Sequence, residues 1–342
     1  MSFSAEKRNQ IKHYLLEKLN DKSYVKKTSD TFGISLNSVY RYIRELEEDK
    51  IIEKKGKGYS LVCKTEEVLL DRSKQELPSE DRIYDKYIKK YMYSLPENVV
   101  AIWQYAFVEM MNNAIDHSES ETVKLVIKQD YMNTTIMIID HGVGIFKKIK
   151  DYCRFETLDD AVNELFKGKL TTNPACHSGE GIFFTSRILD HFMAISDGKV
   201  FSHDKFTDEQ LDEIESEMVM GLGLGTSHGT VFYMQLSNFS KKTIKELFDQ
   251  FADVDGGFIR TRIPIKNIFE TYPVARSQAK RLCHRFEDFQ RVELDFDGIS
   301  EIGQGFAHEI FVVYQNAHPE VEITAINAAE DVQRMIYHVK HG

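Results

Sequence analysis

Three short stretches of this 342-residue chain carry side chains that could do chemistry together. In the first, Glu109-Met-Met-Asn-Asn-Ala-Ile-Asp-His117, a carboxylate, a carboxamide and an imidazole recur every four residues. A helix would therefore line Glu109, Asn113 and His117 along one face, with Asp116 beside them. The second, Asp140-His-Gly-Val-Gly144, and the third, Ser178-Gly-Glu-Gly-Ile-Phe183, are glycine turns that let backbone approach a ligand. The neutral carboxamide oxygen of Asn113 suits Mg²⁺, a hard cation that keeps several waters and is shared with substrate phosphates rather than caged by protein. Gly179 and Gly181 would open a helix beginning near Ile182, whose free N–H groups can hold phosphate oxygens. The pieces predict one site for ATP and Mg²⁺, although each glycine pair taken alone is also an ordinary tight turn.

Positioning these residues requires helices and strands in a fixed order. The pattern from Val99 predicts a helix to His117, strands over 123–129 and 134–140, a helix over 182–189, and strands over 192–196 and 230–236. That mixture implies a two-layer α+β sandwich. The acidic stretch 204–218 reads as a surface insertion. Past Lys241 a helix leads to Gly256-Gly257. Strands over 258–263, 292–296 and 320–326 then alternate with helices over 274–286, 305–316 and 328–337, the pattern of a small α/β domain.

Ahead of the sandwich, residues 5–19, 25–32 and 35–49 form three helical patterns in quick succession, the second closed by Gly33. The third would present Asn37, Ser38, Tyr40, Arg41 and Arg44 as a recognition helix meets bases and phosphates. After it, Ile51-Ile-Glu-Lys-Lys-Gly-Lys-Gly-Tyr-Ser-Leu reads as a strand, a glycine turn and a second strand, with Lys55 and Lys57 at the tip. This plan resembles a winged helix-turn-helix over about the first 62 residues. A small helical protein-interaction domain with solvated lysines is the competing reading.

The formal net charge of −10 argues against nonspecific nucleic-acid binding by the whole molecule. The first 64 residues, however, hold 14 Lys+Arg against 9 Asp+Glu, so a basic module is hidden in an acidic chain. Residues 65–97 are charge-rich, contain Pro78 and Pro96, and read as a connector whose helix could serve as a lever, a dimerisation helix or a spacer. Cys63, Cys153, Cys176 and Cys283 make no C-x-x-C pair, which disfavours a zinc site and a disulfide framework. No apolar run approaches the length that spans a bilayer, and the start lacks a signal-peptide pattern. The expectation is a soluble cytoplasmic protein with no membrane partner.

Over about residues 98–237 the chain resembles the GHKL superfamily, the Bergerat fold shared by gyrase, mismatch-repair ATPases, histidine kinases and anti-sigma-factor kinases. Glu109-x-x-x-Asn113-Ala-x-x-His117 resembles its N box, Asp140-x-Gly142-x-Gly144 its first glycine box, Ser178-Gly179-Glu-Gly181-Ile its second, and Gly229-Thr230-Val-Phe232 its last strand motif. The resemblance implies that Asp140 accepts a hydrogen bond from the adenine amine, that Thr230 supports the base pocket, and that Asn113 holds Mg²⁺. It also implies an ATP lid over 146–177, in which Lys169 and Thr172 are the leading candidates to reach a γ-phosphate. His117 fits a ligand contact and a satisfied surface histidine equally. Glu109 occupies the position of the water-activating carboxylate of gyrase-like members, which implies slow hydrolysis. Histidine kinase activity does not fit, because the only histidine ahead of Trp103 is His13.

Residues 257–340, and above all 292–306, resemble STAS and STAS-like domains. Where a STAS antagonist would carry its phosphorylated serine this chain has Gly303 and Gln304, and Ser300 nearby reads as a turn-capping hydroxyl. The sequence thus predicts an α+β multidomain protein: a winged helix-turn-helix over 1–64, a connector over 65–97, a GHKL-type two-layer sandwich over 98–240, and a STAS-like α/β domain over 241–342. Its expected function is an ATP·Mg²⁺-responsive, DNA-binding transcriptional regulator with an unidentified protein partner on the STAS-like domain. An ATP-dependent protein serine/threonine kinase, or an ATPase acting on a protein partner, is the alternative.

Overall fold

A computed structural model describes residues 3–170, 179–204, 229–253, 257–269 and 271–342. The chain is a mixed α/β, multi-unit protein with three separate sheets among the described residues.

Helices Ala5–Glu17, Tyr24–Phe32 and Leu36–Glu48 form the first unit, with a two-stranded antiparallel hairpin of β1 (Ile52–Lys55) and β2 (Gly58–Leu61). Ser4 and Ser35 cap the first and third helices, each accepting a backbone N–H with its hydroxyl oxygen. Gly33 ends the second helix in the left-handed conformation, at φ +61°. Ile11, Leu15, Leu16, Val39, Tyr42, Ile43 and Leu46 recur at helical spacing and fill the core between the helices.

The central sheet has six antiparallel strands, and its first strand lies in the segment expected as a connector. β3 (Lys64–Asp71) pairs along its length with β4 (Thr122–Gln129), as the sheet order β3-β4-β5-β8-β6-β7 requires. The others are β5 (Asn133–Asp140), β6 (His191–Ser196), β7 (Lys199–Phe201) and β8 (Thr230–Ser237). Only Val62 and Cys63 separate β2 from β3, so the first unit is mounted directly on the sheet. Met132, in the β4–β5 turn, is buried in the first unit's core, and His13 meets the Phe239 ring edge-on at 4.8 Å. The expected connector helix is a broken run, Glu80–Ile83, a π-helical turn Tyr84–Ile88 and Lys89–Met92. Its Ile83, Tyr84, Ile88 and Met92 join the central core.

Helix Glu97–Asn112 buries Val99, Ile102, Trp103, Ala106, Phe107, Met110 and Met111 on one stripe. Each large side chain so buried contributes about 1.5–3 kcal/mol. The stripe packs on the sheet face that carries Leu125, Ile127, Ile136, Ile138, Phe232 and Met234. Because strand side chains alternate, Asp140 and Thr230 share the helix-facing side with Ile136, Ile138 and Phe232. The apolar period that builds the core also aims these two polar residues beneath the helices.

The C-terminal sheet is parallel, with β10 (Arg291–Asp295) between β9 (Arg260–Pro264) and β11 (Glu322–Ile326). Helices Arg276–Leu282, Gln304–His308 and Glu330–His341 accompany it. Helix Ile244–Phe251, expected with this unit, stacks instead on the central one: Phe248 lies parallel to Phe184 at 4.1 Å.

Candidate functional site

Helix Glu97–Asn112 does not end at Asn112; it passes into a π-helical turn, Asn113–His117. Such wider turns occur mostly as single-turn bulges, often where a helix must present side chains to a site. Here the turn keeps Glu109, Asn113 and His117 on one cavity of about 290 Å³ while leaving Asp116 exposed and off its wall. Straight-helix spacing sets Asp116 beside Asn113 and His117, whereas in the π turn it faces away from the cavity wall. Asn113 Nδ2 donates to the Glu109 carbonyl at 2.9 Å, which fixes the amide and leaves its oxygen as the acceptor for the cavity. Arg72 braces the turn from outside by donating to the Ile115 and Ser120 carbonyls at 2.8 and 3.2 Å.

At the end of β5, Asp140 is 3 % exposed. Its Oδ1 accepts from Gly142 N at 2.9 Å and from Thr230 N at 3.3 Å. Burial pushes its pKa up to about 6, against the opposing pull of those two backbone bonds. Thr230 lies opposite Asp140 in the β5–β8 register, and its hydroxyl oxygen accepts from Ile145 N at 3.0 Å, tying the helix Ile145–Cys153 to β8. Two backbone N–H groups thus hold one oxygen of the buried acid, and an ionised carboxylate has further acceptor sites for a ligand donor.

The glycines do different jobs. Gly144, at φ +81°, lines the cavity, and a Cβ there would lie 2.4 Å from Asp197 Oδ2. Gly142 does not line it; the residue packs behind the wall, where a Cβ would stand 1.8 Å from the Ser118 carbonyl oxygen. At Gly181 a Cβ would sit 2.1 Å from Glu109 Oε2, so the glycine brings the Glu109 carboxylate against the start of helix Gly181–Ile188. That start presents the free N–H groups of a helix N-terminus to the cavity lined by Gly179, Gly181 and Ile182.

The fold therefore brings Glu109, Asn113, His117, Asp140, Gly144, Gly179, Gly181, Ile182 and Thr230 to one cavity from pieces far apart in sequence. Lys169 is not on that wall; its Nζ donates to the Asp288 carbonyl at 2.7 Å. Thr172 and Ser178, like most of the acidic stretch 204–218, lie outside the described residues. Sequence reasoning missed Lys148, which lines the cavity while its Nζ donates to the His117 carbonyl at 2.7 Å. Its position four residues after Gly144 was a signal, obscured because a helical lysine is usually solvated.

On the first unit, Asn37, Tyr40, Arg41, Arg44, Lys55 and Lys57 are exposed along the third helix and the hairpin tip. Ser38 differs: its backbone N–H and hydroxyl are 3.2 and 3.0 Å from the Ser35 hydroxyl, so the side chain belongs to the helix cap. In the C-terminal unit Gly303 precedes helix Gln304–His308, and a Cβ there would meet Val274 Cα at 2.6 Å. Ser300 is exposed in the same loop.

Residues 278–333 match the family model of a STAS-like domain of unknown function, DUF4325. The C-terminal unit is accordingly STAS-like. No curated protein matches the chain. Among the described residues no helix is long and apolar enough to cross a membrane.

Proposed function

We propose that the chain is an ATP·Mg²⁺-responsive, DNA-binding regulator of the cytoplasm, with a GHKL-type nucleotide unit between a winged helix-turn-helix and the STAS-like unit. One observation carries the nucleotide reading: the three motifs converge on a single cavity that joins a buried carboxylate, a fixed carboxamide oxygen and a helix N-terminus. Adenine fits the first, because an ionised Asp140 accepts a hydrogen bond from the exocyclic amine and opposes the carbonyl oxygen of guanine. Phosphates fit the helix start, and Asn113 would hold the Mg²⁺ that neutralises them.

Support for the DNA reading comes from the cations and aromatic group exposed together on the third helix and hairpin tip. The short β2–β3 connection and the burial of Met132 supply the link to the nucleotide unit: β5 runs from the first unit's core to Asp140. Nucleotide state at one end of this strand biases the pose of the DNA-reading unit at the other. The test is duplex binding by the full chain across salt concentrations, with ATP and with ADP. The reading expects salt-sensitive binding that differs between the two nucleotides; if neither nucleotide shifts DNA affinity or oligomeric state, the coupling is refuted.

A second reading, an ATPase or protein serine/threonine kinase acting on a partner, is favoured by the Glu109 carboxylate lying against the phosphate-side helix start. A general base belongs there. Gly303 and Gln304 carry no hydroxyl, so the chain's own STAS-like loop offers no phosphate acceptor at those positions.

A further inference from the structure

The wall of the cavity between Leu165 and Leu170 is held from the C-terminal unit. Leu165, Gly168 and Leu170 line the cavity, and the residues between them turn the other way. Lys167, 1 % exposed, donates to the Glu164 carboxylate and to the His284 carbonyl. Glu164 lies 3.2 Å from His284 Nδ1 and 3.3 Å from Arg285 Nη1. Arg285 Nη2 donates to the Lys169 carbonyl at 2.6 Å, and the Thr261 hydroxyl donates to the Lys167 carbonyl at 2.7 Å. These bonds join a segment of the cavity wall to residues about one hundred positions away.

Lys169 is the pivotal member. Its ammonium rests on the Asp288 carbonyl, 5.6 and 5.0 Å from the ring centroids of Phe258 and Phe289. These direct contacts are neutral, and the Asp288 and Glu180 carboxylates add a Coulombic attraction on the ammonium. Burial there draws its pKa below the ordinary lysine value. The backbone is unusual as well: Gly168 has φ +84° and Lys169 φ +52°, the left-handed region that a lysine occupies at a cost. Lys169 is flanked in sequence by two wall residues, so turning its four-carbon stem changes which side of the wall the charge serves.

We propose that Lys169 is a cation shared between two sites, anchoring the wall to the STAS-like unit without nucleotide and swinging to the terminal phosphate of bound ATP, which loosens that anchor. The inference rests on the reading of the cavity as a nucleotide site. A terminal phosphate competes well because it offers several anionic oxygens for direct charge-assisted hydrogen bonds, where the ammonium now bonds only a carbonyl and faces two rings, with the Asp288 and Glu180 charges acting on it through space. ADP lacks that phosphate and leaves the anchor in place. By reciprocity, a partner that pulls the STAS-like unit away frees Lys169 and favours ATP over ADP.

The test uses the full chain with Mg²⁺, ADP and the non-hydrolysable analogue AMP-PNP. Calorimetry gives both affinities, and amide exchange follows residues 281–289. The expected result is a preference for AMP-PNP over ADP of at least about fivefold, the lower end of ordinary coupling, with faster exchange of 281–289 under AMP-PNP. Lys169→Met keeps the aliphatic stem over the rings; it should bring the ratio to within about twofold of unity and abolish the exchange difference. Lys169→Arg should retain both. A Lys169→Met protein that keeps the wild-type ratio, or wild-type exchange that is identical with the two nucleotides, overturns the proposal. Failure of the wild-type chain to bind either nucleotide would instead remove the nucleotide reading on which the proposal stands.

Discussion

Replacing Gly142 with alanine tests whether the turn behind Asp140 is held as described. An added Cβ would stand 1.8 Å from the Ser118 carbonyl oxygen, whereas ordinary contact starts at 3.4 Å. The two backbones must part by roughly 1.6 Å. Ser118 cannot yield cheaply, since its hydroxyl donates to the Ala114 carbonyl at 2.5 Å and accepts from Ser120 N at 3.0 Å. Separation breaks the Val143 N to Ser118 O bond of 2.8 Å and draws Gly142 N away from Asp140 Oδ1. A neutral bond contributes about 1 kcal/mol and one to a carboxylate about 1.5–3, so the total loss is about 2.5–4 kcal/mol. Urea unfolding of Gly142→Ala should show that loss, and nucleotide affinity should fall at least about tenfold as Asp140 is displaced. Gly58→Ala is the control, because a Cβ there meets nothing within 4 Å; its change should stay within about 0.5 kcal/mol. A loss below about 1 kcal/mol in Gly142→Ala, with nucleotide binding intact, would refute the reasoning.

Asp140 makes a pH prediction whose sign is fixed by burial. Its pKa of about 6 in the folded chain exceeds the ordinary aspartate value of 3.8, so the folded state holds this proton more tightly. The stability this group contributes is present below about pH 4 and is lost as pH rises through 6. Nucleotide binding runs the other way, because adenine needs the carboxylate: affinity should climb between pH 5 and 7 in the wild type and stay flat in Asp140→Asn. Equal slopes in the two proteins by calorimetry would count against the assigned role. Glu109→Ala should retain nucleotide while losing phosphate release if that carboxylate activates water; unchanged release would eliminate it as the base.

Parts of this fold are legible in the sequence for a local reason. The alternation through Ile136, Ile138 and Asp140, and the glycines that permit close approach, depend on a few neighbouring residues. What is not legible depends on partners distant in sequence. β3 reads as charged linker because it is an edge strand with exposed Lys64, Thr65 and Glu67, and its pairing is supplied by β4 about sixty residues later. The π turn at Asn113–His117 has no compositional mark, so ideal helical spacing does not foretell that Asp116 lies off the cavity wall. Lys169 reads as a lid cation, yet its present partner is Asp288, a contact that no local pattern encodes.

The most direct test of the central claim is calorimetric titration of the full chain with Mg²⁺·ATP and with Mg²⁺·GTP at pH 7.5. The account predicts saturable ATP binding, with GTP at least about tenfold weaker because the guanine carbonyl faces the Asp140 carboxylate. No saturable ATP binding up to millimolar concentration, or equal affinity for the two nucleotides, would contradict it.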